Sequence, residues 1–317
     1  MSDLAVSHGF VAPTDHDWYR FLFARPELSE VNFWRPGPQK FAAVRRGEPF
    51  FFKLKAPYNK IGGFGLVSGF VPLPLWEAWD VFGKANGAAN EFDLLRSIDV
   101  LGPTAALGHG LNRVIGCVAV NEPVFFEPDE WVAPPADWSP SIMRGKRYDL
   151  ASGEGERVWR ECLERAAARA AGAPGWATEA IGEQLVGKPV LITPRLGQST
   201  FRLAVLDAYH GQCAVTTEHS LPVLEAAHIR PWAKGGRHEI RNGIPLRRDI
   251  HRLFDLGYVT VRPDLHFAVS PKLHQEFENG HVYYELDGRE IRVPAGATEQ
   301  PSAELLSWHG DVVFQAH

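Results

Sequence analysis

The sequence predicts an α+β chain with two domains joined by a helix. Three observations support this prediction. The chain has 317 residues, more than one ordinary core requires, its first half alternates short aromatic runs with turn residues, and a proline-free segment rich in Ala, Arg and Glu follows. We place a β-rich N-terminal domain at residues 1–150, a helical linker at 151–190 and a C-terminal domain at 191–317.

The N-terminal domain is expected to be a small curved sheet or barrel with helical insertions. PFFFKL (49–54) and FGLVSGF (64–70) have the aromatic and branched residues of strands, and the segment between them is rich in turn residues. RVIGCVAVNEPVFF (113–126) predicts one strand, or two strands interrupted at 121–123. PLPLWEAWDVFGKANG and ANEFDLLRSIDVLG predict short helices, each ended by a glycine.

The linker begins where the composition changes. GEGERVWRECLERAAARAAG (153–172) lacks proline and is expected to form a helix, and PGWATEAIGEQLVGKP (174–189) then ends in a break. The C-terminal domain opens with a predicted helix from Gln198 to Tyr209, followed by a turn and a strand.

Bulk composition excludes several classes of protein. Hydrophobic residues make up 45% and charged residues 22% of the chain, which is typical of a globular protein rather than a disordered one. The three cysteines are far apart and form no CxxC pair, so neither a disulfide framework nor a structural zinc site is indicated. No signal peptide or membrane-length apolar run is visible, and a reduced cytoplasm is the expected location.

Charge is distributed unevenly along the chain. The net charge is −5, yet residues 221–262 contain eight basic and four acidic residues, a local charge of +4. A basic segment of this kind binds phosphates when its charges share one face. A solvated surface is the alternative explanation.

Chemistry-bearing residues cluster in LEAAHIRPWAKGGRHEIRNGIPLRRDIHRLFDLGYV (224–259). LPVLEAAHI predicts a strand, WAKGGRHEIRNG a loop, IPL a second strand and RRDIHRLFDLG a helix ended by its glycine. His251 and Asp255 are four residues apart in this helix and therefore share one face. A ring nitrogen and a carboxylate on one face are a plausible half-shell for a divalent cation, which His228 would face from the end of the first strand.

This arrangement resembles the HNH nuclease family, whose active site is a ββα-metal unit. The resemblance covers about 50 residues, from Cys213 to Val261. It rests on the HI-x-P turn at 228–231, the glycines at 235 and 236, the Asn-Gly at 242–243 and DIHRLFDLG at 249–257.

The resemblance implies a role for each residue of the motif. His228 is expected to be the general base that deprotonates a water attacking a phosphodiester. Asn242 is expected to orient the His228 imidazole and to hold the loop. His251 is expected to bind the metal, with Asp255 as a second ligand. Mg²⁺ or Mn²⁺ is the expected ion, and Zn²⁺ and Ni²⁺ stay open.

One position departs from the family pattern. Many members carry Asp or His immediately before the general base, whereas this chain has Ala227. Glu225 lies two residues earlier, on the same side of the strand, and is our candidate for the missing ligand. Candidate contacts to DNA phosphates are Arg230, Lys234, Arg247 and Arg248, with only one of the adjacent pair expected to face DNA. The remaining nearby histidines, His210, His219 and His238, have no matching role and are interpreted as surface residues.

The first half is similar in order and composition to PUA-like domains such as the EVE and YTH families. The similarity rests on VNFWRPGPQKF, PFFFKLKAPYNKIGGFGLVSGF and IGCVAVNEPVFFEPDEW. It implies a pocket that takes in a modified base, with aromatic walls for stacking and amides to read the base edge. The candidate walls and edge readers are Trp34, Tyr58, Phe64, Trp131, Asn32 and Asn59. Core packing is the alternative for each aromatic residue.

Together the two resemblances imply a modification-dependent restriction endonuclease, reading modified cytosine or another altered base in double-stranded DNA. Two other functions stay open. One is a catalytically inactive DNA-binding protein that retains the HNH fold, and the other is an HNH nuclease directed by plain sequence or by a protein. Because cutting both strands needs two active sites, a homodimer is expected.

Overall fold

The computed structural model describes residues 5–39, 44–101, 108–169, 190–191 and 197–316. The chain divides into two compact units, Met1–Gly197 and Gln198–His317. Most of the predicted linker beyond residue 169 lies outside the described residues. No helix in the described ranges is both long enough and apolar enough to cross a membrane.

The first unit is built on a mixed sheet. Its strands are β1 (Ala5–Val6), β2 (His8–Thr14), β3 (Glu30–Arg35), β4 (Pro49–Leu54), β5 (Ile61–Pro74), β6 (Val114–Phe125), β7 (Lys146–Asp149) and β8 (Val190–Leu191). Six strands pair in the order β3-β6-β5-β4-β2-β7, with only β2 and β4 parallel, while β1 pairs with β8. Since β3 and β7 do not pair in the described part of the chain, the sheet is open. The predicted barrel is therefore not found.

In the part of the chain that the structure describes, the first unit has three α-helices before its last long strand, α1 (His16–Phe23), α2 (Leu75–Phe82) and α3 (Glu91–Asp99). The two expected helical insertions are α2 and α3, whereas α1 was not predicted. The side chain of Asn90 caps α3 by accepting hydrogen bonds from two backbone N–H groups. The segment 113–126 forms one strand rather than two. Its pairing with β5 shifts register near Glu122, whose φ of 48° is the local irregularity that the Asn-Glu-Pro sequence indicated.

Helix α4 (Gly153–Ala168) is part of the first unit's core rather than a free linker. Its apolar stripe, including Trp159, Cys162 and Leu163, packs with Phe51 and Phe64 on one face of the sheet. A separate buried cluster around Phe50, Phe52 and the side chains of α1 covers the other face. The spacing of the apolar residues places them along one face of α4, and a helix with such a stripe is stable only when that stripe is covered. This is why α4 packs against the sheet.

The second unit contains the predicted strand–loop–strand–helix. Its elements are α5 (Gln198–Ala208), β9 (Leu224–His228), β10 (Gly243–Arg247), α6 (Arg248–Asp255), β11 (Val259–Val261), β12 (Phe267–Val269), α7 (Lys272–Phe277), α8 (His281–Tyr284) and α9 (Ala303–Val312). β9 and β10 are antiparallel, and α6 follows β10 directly. β11 and β12 form a second antiparallel pair.

Candidate active site

The end of β9 is covered by α5. Gly243 lies opposite His228 in the β9–β10 pair. A Cβ atom at Gly243 would lie 2.3 Å from Val205 and 2.9 Å from the ring of Phe201, so glycine is needed for α5 to pack this closely. Phe201 consequently stacks on the imidazole of His228, with ring centroids 3.9 Å apart. The histidine is held half-buried on a rigid surface.

Asn242 clamps the loop between the two strands. Its side chain is 2% exposed, accepts the backbone N–H of Arg230 at 2.9 Å, and donates to the carbonyls of Arg230 at 3.0 Å and Arg237 at 2.8 Å. The predicted role in holding the loop therefore has direct contacts behind it. The predicted orientation of the His228 ring does not, because all three of these bonds go to loop backbone.

The clamp depends on a close backbone approach at Gly236. A Cβ atom there would lie 1.8 Å from the carbonyl oxygen of Arg230 and 3.0 Å from the amide nitrogen of Asn242. No side chain fits in that space, so the second glycine of the Gly-Gly pair is required for the loop to fold back on itself.

His238 supplies the orienting contact that Asn242 does not. Nε2 of His228 lies 3.0 Å from Nδ1 of His238, and the exposed ring of Trp232 stacks on His238 with centroids 5.0 Å apart. With Nε2–H of His228 as donor, its Nδ1 carries a lone pair that no described group engages. The interpretation of His238 as a bystander on the surface is wrong, because the loop conformation carries it to the general-base candidate.

The environment of His228 favours its neutral form. Burial is the main cause that lowers the pKa of His228 from 6.5 to about 4, and electrostatic interactions with His238 and His251 add to it. Burial also lowers the pKa of His238. His228 is therefore uncharged at neutral pH, with a lone pair ready to accept a proton.

His251 is oriented by Glu225. Nδ1 of His251 lies 2.7 Å from a Glu225 oxygen, and the other Glu225 oxygen lies 3.0 Å from Nε of Arg248. Since a carboxylate only accepts, Nδ1 carries a proton, and in the neutral ring Nε2 then carries the lone pair. That lone pair faces Asp255, whose nearest carboxylate oxygen is 3.5 Å away.

Two donors of this site fit a divalent cation, and the third predicted one does not. Nε2 of His251 and the Asp255 carboxylate converge on one face of α6, an arrangement that a cation bound to both would stabilise. Adjacent ligands at about 2.1 Å in octahedral geometry lie about 3 Å apart, close to the observed separation. Glu225 instead serves His251 and Arg248, so its predicted role as a ligand is replaced by an orienting one. No group of three or more His, Cys, Asp or Glu side chains in the described ranges is arranged to hold a metal.

The four predicted phosphate contacts differ in their surroundings. Arg230 donates to the Lys234 carbonyl at 2.6 Å and lies beside the ring of Trp308, while Lys234 is exposed. Arg247 forms a two-pronged ion pair with Asp249, and Arg248 pairs with Glu225. Both members of the adjacent arginine pair are thus bound to acids.

The first unit contains a cavity of about 1600 Å³. Of the six residues predicted for a base pocket, Trp34 and Asn59 line it, together with Trp138 and Lys53. The indole N–H of Trp34 donates to the Asn86 carbonyl at 3.0 Å, which fixes its ring. The cavity therefore contains part of the predicted set and two residues that the sequence did not single out.

The other four predicted pocket residues lie elsewhere. Tyr58 stacks on His16 and meets Trp131 edge to face, at centroid distances of 4.2 and 5.4 Å, in an aromatic cluster that does not line the cavity. Phe64 is 0% exposed and packs on α4, so its assignment as a pocket wall is wrong. Asn32 is also fully buried and donates to Asn86, so it is not an edge reader of this cavity.

One comparison with known proteins concerns the segment that contains His228, Asn242 and His251. The family model described as HNH endonuclease matches residues 213–262, which confirms the resemblance seen in the sequence. No curated protein matches the chain.

Two solved structures show weak likenesses. ASCH from Zymomonas mobilis is 10% identical with a TM-score of 0.31, covering 47% of this chain and 92% of that one. A protein described as a modification-dependent TagI restriction endonuclease is 14% identical with a TM-score of 0.32, covering 91% of this chain and 76% of that one. Likenesses at this level say nothing about the activity of this chain.

Proposed function

We propose that the chain is a metal-dependent DNA endonuclease that hydrolyses phosphodiester bonds. One observation carries the proposal: within a segment that matches the HNH endonuclease model, β9 ends at His228, and Glu225 of the same strand contacts His251 of α6 at 2.7 Å. A base on a strand and a metal-binding face on the following helix are the two parts that hydrolysis of a phosphodiester requires.

His228 acts as the general base through Nδ1. It accepts a proton from the attacking water, and the imidazolium that forms keeps its Nε2–H directed at His238. His238 is a positioning residue, because its Nδ1 fixes which nitrogen of His228 carries the lone pair. Stacking on Phe201 restricts the ring to one plane.

His251 and Asp255 would hold Mg²⁺ or Mn²⁺, with water and phosphate oxygens in the other positions. When bound, the ion neutralises charge that develops on the phosphate and the leaving oxygen. Glu225 accepts the Nδ1 proton of His251 and so keeps Nε2 directed at the ion's position. Arg230 and Lys234 are the remaining candidates for contacts to the DNA backbone, since Arg247 and Arg248 are paired with acids.

The first unit is proposed to direct cleavage by reading a modified base, with modified cytosine as the leading candidate. Its cavity has aromatic walls, including Trp34 and Trp138, and polar groups from Asn59 and Lys53. A base flipped from the duplex needs such walls for stacking and such groups for its edge. In this proposal the two units make a restriction enzyme that acts as a homodimer, one protomer for each strand.

The test is cleavage of duplex DNA containing cytosine, 5-methylcytosine or 5-carboxycytosine, with Mg²⁺, Mn²⁺ or EDTA. We expect cleavage that requires the metal, depends on the modification and is abolished in His228→Ala. The control is His219→Ala, which replaces an exposed histidine of the same unit and is expected to cut normally. Intact DNA under every metal condition would refute the nuclease, and equal cutting of all three substrates would refute the reader. Light scattering on DNA tests the dimer, which a strict monomer would contradict.

A catalytically inactive DNA-binding protein is the second candidate. Two features favour it: Ala227 stands where many family members have a metal ligand, and Glu225 contacts His251 and Arg248 instead of the ion's position. Only His251 and Asp255 of the predicted ligands then remain for the ion. Gel retardation without cleavage, unchanged by metal, would support it.

A further inference from the structure

Lys53 occupies a position where lysine is rarely found. It lies in β4, a strand with neighbours on both sides, opposite Pro13 of β2 and Ile61 of β5, and is only 5% exposed. Lysine is almost never buried to this degree unless its charge is paired.

Lys53 meets only neutral groups. Its ammonium donates to the Asn59 amide oxygen at 2.9 Å and lies 5.2 Å from the ring centroid of Trp138, and no carboxylate pairs with it among the described residues. By contrast Lys55, two residues further on, forms an ion pair with Asp15 at 2.7 Å. Burial lowers the pKa of Lys53, in line with a cation that lacks a counterion.

The same cavity gathers further positive charge. Arg35 and Arg144 both line it. Asp15 is the one acid among the described lining residues, and Lys55 already neutralises it. The cavity is therefore cationic as well as aromatic.

The volume of the cavity indicates the size of ligand that it can hold. Small-molecule pockets commonly occupy roughly 300–1000 Å³. At about 1600 Å³ this cavity has room for a whole nucleotide, with both a base and a phosphate.

We propose that the cavity binds a nucleotide through an anionic oxygen group. The Lys53 ammonium binds this group, while Asn59 and Trp138 hold the ammonium in place. The group is a carboxylate on the base or the phosphate itself, since both offer the acceptors that a buried ammonium lacks. Trp34 provides a stacking surface for the base. This inference rests on the proposed role of the first unit in reading DNA.

The test is binding of four ligands to the full chain in EDTA, followed by calorimetry and tryptophan fluorescence. The ligands are deoxycytidine, 5-methyldeoxycytidine, 5-carboxydeoxycytidine and deoxycytidine monophosphate. 5-Carboxydeoxycytidine, deoxycytidine monophosphate or both are expected to bind ten-fold or more tightly than deoxycytidine. Tighter binding of the first identifies the anionic group as the base carboxylate, and tighter binding of the second identifies it as the phosphate. Equal affinity for all four, or no binding, would overturn the inference.

Variants assign the effect to Lys53. Lys53→Gln is expected to reduce the preference for the anionic ligand to about one, whereas Lys53→Arg keeps it. Lys60→Met, at an exposed position outside the cavity, should leave it unchanged. If Lys53→Gln fails to fold, Lys53→Arg provides the test. Loss of the preference in a folded Lys53→Arg variant contradicts the inference. Retention of the preference in a folded Lys53→Gln variant contradicts it as well.

Failure here can be told apart from failure of the proposed nuclease. Binding in EDTA needs no cleavage, so metal-dependent cleavage without nucleotide binding refutes only this inference. Nucleotide binding without cleavage refutes only the nuclease.

Discussion

Replacing Asn242 with alanine tests the clamp that holds the candidate active site together. The amide makes three hydrogen bonds to the backbone of Arg230 and Arg237, and it is almost fully buried. Alanine removes all three bonds and leaves one backbone N–H and two carbonyls without these partners. It also leaves a space beside Gly236 where the two loop segments approach most closely.

The expected loss of stability follows from those contacts. A buried hydrogen bond contributes about 1 kcal/mol net, and a group left unsatisfied costs somewhat more, so three bonds correspond to about 3 kcal/mol. Domains are stable by roughly 5–15 kcal/mol, so the second unit should still fold. Because the loop carries Trp232 and His238, loosening it should also displace the partner of His228 and reduce the cleavage rate about 10-fold or more.

Urea unfolding followed by circular dichroism measures the first effect, and single-turnover cleavage of duplex DNA measures the second. Asn242→Asp should be at least as damaging, because it keeps the acceptor for the Arg230 N–H but turns a carboxylate oxygen towards two carbonyls. Asn279→Ala is the matched control, since Asn279 is exposed and bonds only to its neighbour Gly280. A change below about 1 kcal/mol in Asn242→Ala would refute the clamp.

Three further predictions concern histidines. His238→Phe should lower the cleavage rate, because His228 loses the acceptor that holds its Nε2–H and leaves Nδ1 for the attacking water; an unchanged rate would contradict the pairing. Glu225→Ala should weaken Mn²⁺ binding about 10–100-fold, measured by calorimetry, because His251 loses the acceptor that directs its Nε2; unaltered affinity would argue against that role. Burial lowers the pKa of His309 from 6.5 to about 4, so the unfolded state takes up a proton first as the pH falls. His309 alone should therefore account for about 3 kcal/mol of stability lost between pH 6.5 and 4. The free energy of unfolding of His309→Phe, measured by urea titration at each pH, should fall less steeply over this range, and an equal fall in both proteins would contradict the prediction.

Much of the candidate site could be predicted from the sequence because its signals are local. The alternation of LEAAH and the helical spacing of DIHRLFDLG place His228 at a strand end and His251 and Asp255 on one helix face. The structure has the helix within two residues of its predicted bounds, whereas the strand begins three residues later and ends one residue earlier than predicted. In the first unit the same local patterns predicted β4, β5 and β6 and the helices α2, α3 and α4, and missed α1 and the other five described strands.

Contacts between distant residues could not be predicted in this way. Glu225 bonds to a residue 26 positions away, and the loop brings His238 to His228 across ten positions through turns that depend on Gly236. The apolar character of Phe64 suits a core and a pocket wall equally well, and only the packing of α4 decides between them.

The sequence alone determined which residue types lie on each strand and helix, since backbone periodicity assigns side chains to faces without reference to the rest of the chain. Only the tertiary structure decided which faces meet. In the tertiary structure Glu225 contacts His251, His228 contacts His238, and Lys53 is buried beside an aromatic cavity. These features could not be read from the sequence, because burial and hydrogen-bond partners depend on elements that are distant in the chain.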